Sequence, residues 1–217
     1  MSETTISAKN AGYYDINTQT EKYEPIWDLD ELFYIRDLQQ RKLFLNASIS
    51  QVEVDDIIRH IMQINAEDRG KPVEDRKPIL LYLSSNGGYV DVGFQLIDVI
   101  LESKTPVYTI NLGYQYSMGF LIGIAGHKRF ATKNAKFLNH DGFNVLFDSG
   151  AKVQDYAEFQ KEVTQRMKQY VLSRTKITEK EYDDKYRVEW YMFADEAKRK
   201  GIVDYIIGED AELDDIV

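Results

Sequence analysis

Residues 79–113 restrict the possible folds of this chain more than any other stretch. "ILLYLS" is a continuous apolar run of the kind found in a strand covered on both faces, and "SSNGG" ends it in a tight turn. Val90, Phe94, Ile97 and Leu101 then recur at helical spacing, and "PVYTINLG" reads as a further strand. Strand, helix and strand within about thirty residues form a βαβ unit, whose strands are parallel and whose crossover is right-handed. The core is therefore α/β.

The flanking sequence extends this pattern. "RKLFLNAS" reads as a short buried strand, and Ser50-Gln51-Val52-Glu53 has the form of a capping box ahead of Val54, Ile57, Ile58 and Ile61 at helical spacing. After "SMGFLIGIAG" come two short strand candidates, "KRFAT" and "KFLN", with His140 at the exit of the second. Tyr156, Phe159, Val163, Met167 and Tyr170 mark one stripe of a long helix over residues 152–175, with a charged opposite face. Thr178 and Glu181 are spaced to start another short helix, "FADEAKRKG" is a helix closed by Gly201, and "VDYII" is a last strand. Residues 1–35 read as a polar arm without periodicity, with regular structure expected from near Leu38, residues 36–208 as one domain, and residues 209–217 as an acidic tail.

Composition narrows the function classes. A net charge of -9 without a basic cluster argues against nucleic acid or an anionic lipid surface as partner. With no cysteine, disulfides, thiolate catalysis and cysteine zinc sites are excluded, and no metal or other cofactor is expected. "MSETTISAKN" lacks the basic and apolar regions of a signal peptide, and "FLIGIA" is far shorter than the roughly 18 residues of a membrane span, so the expected location is the cytoplasm.

Three elements carry candidate chemistry. Ser117 lies between a strand end and a helix start, where free N–H groups and the helix dipole favour developing negative charge. It is read either as an acyl-transfer nucleophile or as a helix N-cap; the surrounding pattern is not Gly-x-Ser-x-Gly, since Gln115 stands two residues before it. Gly87 and Gly88 after a parallel strand either form a plain turn or let the backbone approach a substrate with its N–H groups presented. His140, at a strand end before Asp141-Gly142, is either structural or a base.

Taken together and in this order, these motifs resemble the proteolytic subunit of Clp protease, a family of self-compartmentalised serine peptidases. "LYLSSNGGYVDVG" is similar to the family's Y-I-N-S-P-G-G-x-x-x-x-G, and "SMGFLIGIAGHKRFATKNAKFLNH" to its A-S-M-G-x-x-L and R-x-x-x-P-N-(S/A)-x-x-x-x-H. "MFADEAKRKGIVDYII" is similar to its M-S-A-x-E-A-x-x-Y-G-(L/I)-(V/I)-D-x-I, and the likeness runs over residues 36–207. The resemblance implies an α/β fold, a ClpP/crotonase-like spiral of ββα units with a protruding handle helix. It implies Ser117 as nucleophile, His140 as general base, and the N–H groups of Gly88 and Met118 as an oxyanion hole. It further implies seven-membered rings of this chain, stacked in pairs, an AAA+ ATPase unfoldase as partner, and peptides or unfolded proteins as substrates.

The chain departs from the family pattern in several places. The register set by "MFADEA" puts Glu189 at the position of the third triad member, where the family has aspartate. Glu189 is read either as that member, with one methylene of extra reach, or as a surface residue, with Asp183 and Asp184 as other candidates. Arg187-Val188 replaces an acid–arginine pair of the ring-to-ring contact, Asn86 a proline, Tyr116 a small residue and Phe193 a helix-capping serine. After His140 the Gly-rich substrate-binding segment becomes "DGFNVLFDSG", with Phe143, Val145 and Phe147 altering the cleft. Two further readings stand beside the peptidase: a weakly active or inactive ring subunit with a structural or regulatory role, and a crotonase-like acyl-CoA enzyme, whose chemistry needs no Ser-His pair.

Overall fold

The computed structural model describes residues 28–142 and 149–217. The chain divides between Gln40 and Arg41 into two compact units. In the first, α1 (Leu29–Gln39) starts at Asp28, whose carboxylate accepts the Glu31 N–H while Glu31 accepts that of Asp28. This reciprocal box satisfies two N–H groups that a helix start leaves open. Regular structure thus begins well before Leu38, because an Asp-x-x-Glu box sits inside the stretch whose apolar periodicity is weak.

In the second unit the chain runs β1 (Lys42–Leu45), α2 (Gln51–Glu67), β2 (Ile79–Leu83), α3 (Val90–Glu102), β3 (Val107–Asn111), β4 (Tyr114–Tyr116), α4 (Met118–Gly123), β5 (Lys128–Thr132) and β6 (Lys136–Asn139). It continues through α5 (Gly150–Arg174), α6 (Glu179–Lys185), β7 (Trp190–Phe193), α7 (Ala194–Arg199) and β8 (Tyr205–Ile207). Five strands pair in parallel in the order β1-β2-β3-β5-β8. The other three form a second sheet in which β4 is parallel and β7 antiparallel to β6. β3 hands the chain to β4, and β5 hands it to β6, so these two turns of the path each give one strand to each sheet. This is the α/β spiral that the sequence resemblance implies.

Burial follows from the apolar periodicity, with two differences from the sequence reading. α2 buries Val54, Ile57, Ile61 and Ile64 as its spacing requires, but the Ser50 hydroxyl donates to the Glu53 carboxylate instead of accepting a helix N–H. α3 buries Gly93, Leu96, Ile97 and Ile100, so its inward face is rotated from the expected Val90–Phe94–Ile97–Leu101 line and leaves Leu101 exposed. The glycine explains the rotation: a side chain at position 93 would strike Met118, so the helix seats its narrowest side against α4.

Two polar clusters hold the frame. Asp68, after the last turn of α2, is fully buried; its carboxylate takes both guanidinium donors of Arg41 at 2.6 and 2.8 Å, Lys71 Nζ at 2.7 Å and the Thr105 hydroxyl at 3.1 Å. The Arg41 guanidinium, with Lys71 and Thr105 adding to it, holds that carboxyl well below the usual carboxylate range. At the base of α5, Arg174 donates to the carbonyls of Ile124 and Gly126 at 3.0 and 2.9 Å, and Arg129, paired with Asp204, donates to the Arg174 carbonyl at 2.7 Å. Only Val171 of α5 is buried, and Tyr156 and Phe159 are exposed. α5 is a long helix fastened at its C-terminal end, the handle of the spiral.

Candidate active site

The turn after β2, the exit of β4 and the exit of β6 meet at the carboxyl ends of their strands, where parallel α/β sheets commonly bind ligands. Ser85 bridges Gln115 in parallel, and Tyr116 lies beside Leu138. The Ser117 N–H donates to the Leu138 carbonyl at 3.0 Å. Ser117 and His140 therefore leave neighbouring strands at the same end.

Ser117 adopts φ 55° and ψ -122°. A non-glycine residue in that region carries about 1–3 kcal/mol of backbone strain, and it recurs where a strand turns sharply into a helix to present a side chain. α4 begins at the next residue, and the Ser117 side chain makes no capping hydrogen bond. The N-cap reading therefore describes its position but not its hydroxyl.

Gly87 and Gly88 lie against this turn. A Cβ on Gly87 would sit 2.6 Å from Ser117 Cβ and 3.0 Å from the Met118 nitrogen. A Cβ on Gly88 would sit 2.3 Å from the Ile49 carbonyl oxygen, because Ile49 clasps the turn through its N–H to the Gly87 carbonyl and its carbonyl to the Tyr89 N–H. Both glycines have positive φ, 98° and 155°. Among the described residues, neither the Gly88 nor the Met118 N–H donates a hydrogen bond. The sequence singled out Gly88; the tighter approach to Ser117 is made by Gly87, and the doubled glycine was its signal.

His140 meets Glu189 by strand register. β6 and β7 pair Leu138 with Tyr191 and Asn139 with Trp190, so the next pair outward is His140 with Glu189. His140 Nδ1–H donates to Glu189 Oε1 at 2.9 Å, with the histidine side chain 21% and the glutamate 55% exposed. The bond to a carboxylate fixes the tautomer, leaving Nε2 as the free acceptor. Nε2 is buried and has no hydrogen-bond partner among the described residues. His127 shows the contrasting structural role: its Nδ1 accepts the Val107 N–H at 3.1 Å, and burial holds its pKa down. Asp183 pairs with Lys168 at 2.7 Å and Asp184 with Lys180 at 2.7 Å, so both alternatives to Glu189 are engaged elsewhere.

Tyr191, which the sequence reading passed over, stands two residues beyond Glu189 on the same strand face and packs edge-on against Tyr116 with ring centroids 5.8 Å apart. Desolvation and the Glu189 carboxylate beside it hold its hydroxyl above the ordinary tyrosine value. The period of two from Glu189 was the available signal. Phe143, Val145 and Phe147 lie outside the described residues.

A family model described as Clp protease matches residues 31–210. ATP-dependent Clp protease proteolytic subunit 2 of Treponema pallidum (strain Nichols) is 26% identical over 186 residues, covering 85% of this chain and 90% of that protein. The protein of the same description from Tropheryma whipplei (strain Twist) is 30% identical over 172 residues, covering 78% of this chain and 92% of its own length.

Proposed function

Because the chain belongs to the Clp protease family of serine peptidases, we propose that it is a serine endopeptidase and the proteolytic subunit of an ATP-dependent Clp-type protease. In this reading the Ser117 hydroxyl attacks a peptide carbonyl carbon while His140 Nε2 takes its proton. The N–H groups of Gly88 and Met118 receive the oxyanion, and the imidazolium returns the proton to the departing amine. Water, deprotonated by the same nitrogen, then releases the acyl group from Ser117. Glu189 keeps the imidazole in the required tautomer and stabilises its charge; half exposed, it shares that task with competing water, and turnover is lower than with a sheltered carboxylate.

The observation that carries this reading is the orphaned Nε2 of His140. A buried ring nitrogen without a partner is costly, and a proton to accept during the reaction is what gives it a use. No hydrogen bond joins it to Ser117 among the described residues, which favours a second reading: a ring subunit of weak activity whose role is structural or regulatory. Substrates are peptides or unfolded protein, an AAA+ ATPase is the partner that feeds them, and the chain works in the cytoplasm as a ring. No helix among the described residues is long and apolar enough to cross a membrane.

Turnover of a fluorogenic peptide library by the assembled protein, beside Ser117→Ala, separates the two readings. The peptidase reading expects cleavage that Ser117→Ala removes. Cleavage untouched by the substitution, or none from an assembled wild type, contradicts it.

A further inference from the structure

The face of the five-stranded sheet turned away from α2 and α3 has an unusual cover. Register aligns Phe44, Tyr82, Ile110, Phe130 and Tyr205 across it, and Tyr108, two residues before Ile110, adds a fifth aromatic ring on the same face. Tyr82 stacks on Phe44 at 4.7 Å and Phe130 on Tyr205 at 5.0 Å. A parallel sheet needs apolar cover on both faces. Here the cluster of Leu80, Tyr82, Ile110 and Phe130 is completed by a single residue from the chain's last turn, Ile216.

Among the described residues, that turn, Leu213–Ile216, is held by little else. Ile216 is 1% exposed, whereas Glu212, Leu213, Asp214, Asp215 and Val217 are all exposed. The Tyr82 hydroxyl donates to the Ile216 carbonyl. Upstream, the Gly208 N–H donates to the Ala211 carbonyl at 2.8 Å, the Asp210 carboxylate accepts the Ile206 N–H at 2.6 Å and pairs with Lys198, so residues 206–211 form a fixed hinge. Beyond that hinge, among the described residues, one isoleucine and one hydroxyl hold an acidic turn over an aromatic slot. A segment with one buried anchor and exposed backbone belongs to the least stable part of a fold.

We propose that the C-terminal turn is a reversible intramolecular plug: Ile216 occupies the aromatic slot in the free chain, and any other occupant of the slot must first displace it. The five aromatic side chains do not depend on Ile216 for their positions, since each is set by its strand, so the slot persists when the plug leaves. The carboxylates of Glu212, Asp214 and Asp215 keep the departed turn in water instead of letting it collapse elsewhere.

The test uses the full chain and two variants, Ile216→Asp and a chain ending at Ala211. Hydrogen exchange of the unaltered protein is expected to show the amides of residues 213–217 opening at least about tenfold more readily than those of β2 and β5. Both variants are expected to keep the native circular dichroism and to enhance 1-anilinonaphthalene-8-sulfonate fluorescence severalfold over wild type. Exchange of the turn only together with the sheet, loss of the fold in the variants, or native variants that bind no more dye would each overturn the plug.

Discussion

Glu189 reaches His140 Nδ1 at 2.9 Å, and one methylene fewer would withdraw its carboxylate by roughly one carbon–carbon bond, about 1.5 Å, beyond hydrogen-bond range. The strand spacing here is therefore matched to glutamate. Glu189→Gln keeps the shape and removes the charge that holds the tautomer; we expect kcat to fall between about tenfold and 10⁴-fold, with KM changed far less. Glu189→Asp is expected to lower kcat as well. Steady-state rates within about twofold of wild type for both would remove Glu189 from the site. From sequence, Ser117, His140 and Gly88 stood out only through their order along the chain, since each has a common structural role when taken alone. The strained backbone of Ser117 and the orphaned Nε2 of His140 are properties of three-dimensional surroundings that no residue type announces.

At the scale of elements, the covered strand β2 and the helices α2 and α5 were legible because a long apolar run or a sustained period leaves few alternatives. β4 was not, since three residues carry no period, and neither was the start of α1, whose cap lies in polar sequence. The Asp68 cluster was also invisible: it joins α2 to Arg41 and Thr105 from distant parts of the chain. Asp68→Asn leaves Arg41 half buried without its partner charge, and loss of about 3–5 kcal/mol is expected in urea unfolding. The pH dependence has a definite sign. Because the folded-state pKa of Asp68 is depressed, its stabilisation is complete above the unfolded value of about 4 and is lost progressively as pH falls below it. The wild type should lose stability on acidification more steeply than Asp68→Asn, and parallel acid limbs for the two would contradict the assignment.

At the scale of the whole molecule, the handle α5 extends from its Arg174 base with Tyr156 and Phe159 exposed on its outer half, as a helix does when a second copy is to cover it. We expect a heptameric ring by light scattering, with face-to-face pairs held through this helix and weakened because Arg187-Val188 stands where the family has an ion-pairing sequence. Tyr156→Ser with Phe159→Ser should leave single rings, and a monomer at high protein concentration would contradict the assembly. Family membership was legible in three linked motifs, and every part of the peptidase reading converges on one oxygen atom. The most direct measurement is the intact mass of the assembled protein after treatment with a fluorophosphonate at neutral to mildly basic pH, followed by peptide mapping of the adduct. The account predicts one phosphonyl group per chain, on Ser117, and none on Ser117→Ala; an assembled wild type that stays unlabelled, or carries its adduct elsewhere, contradicts it.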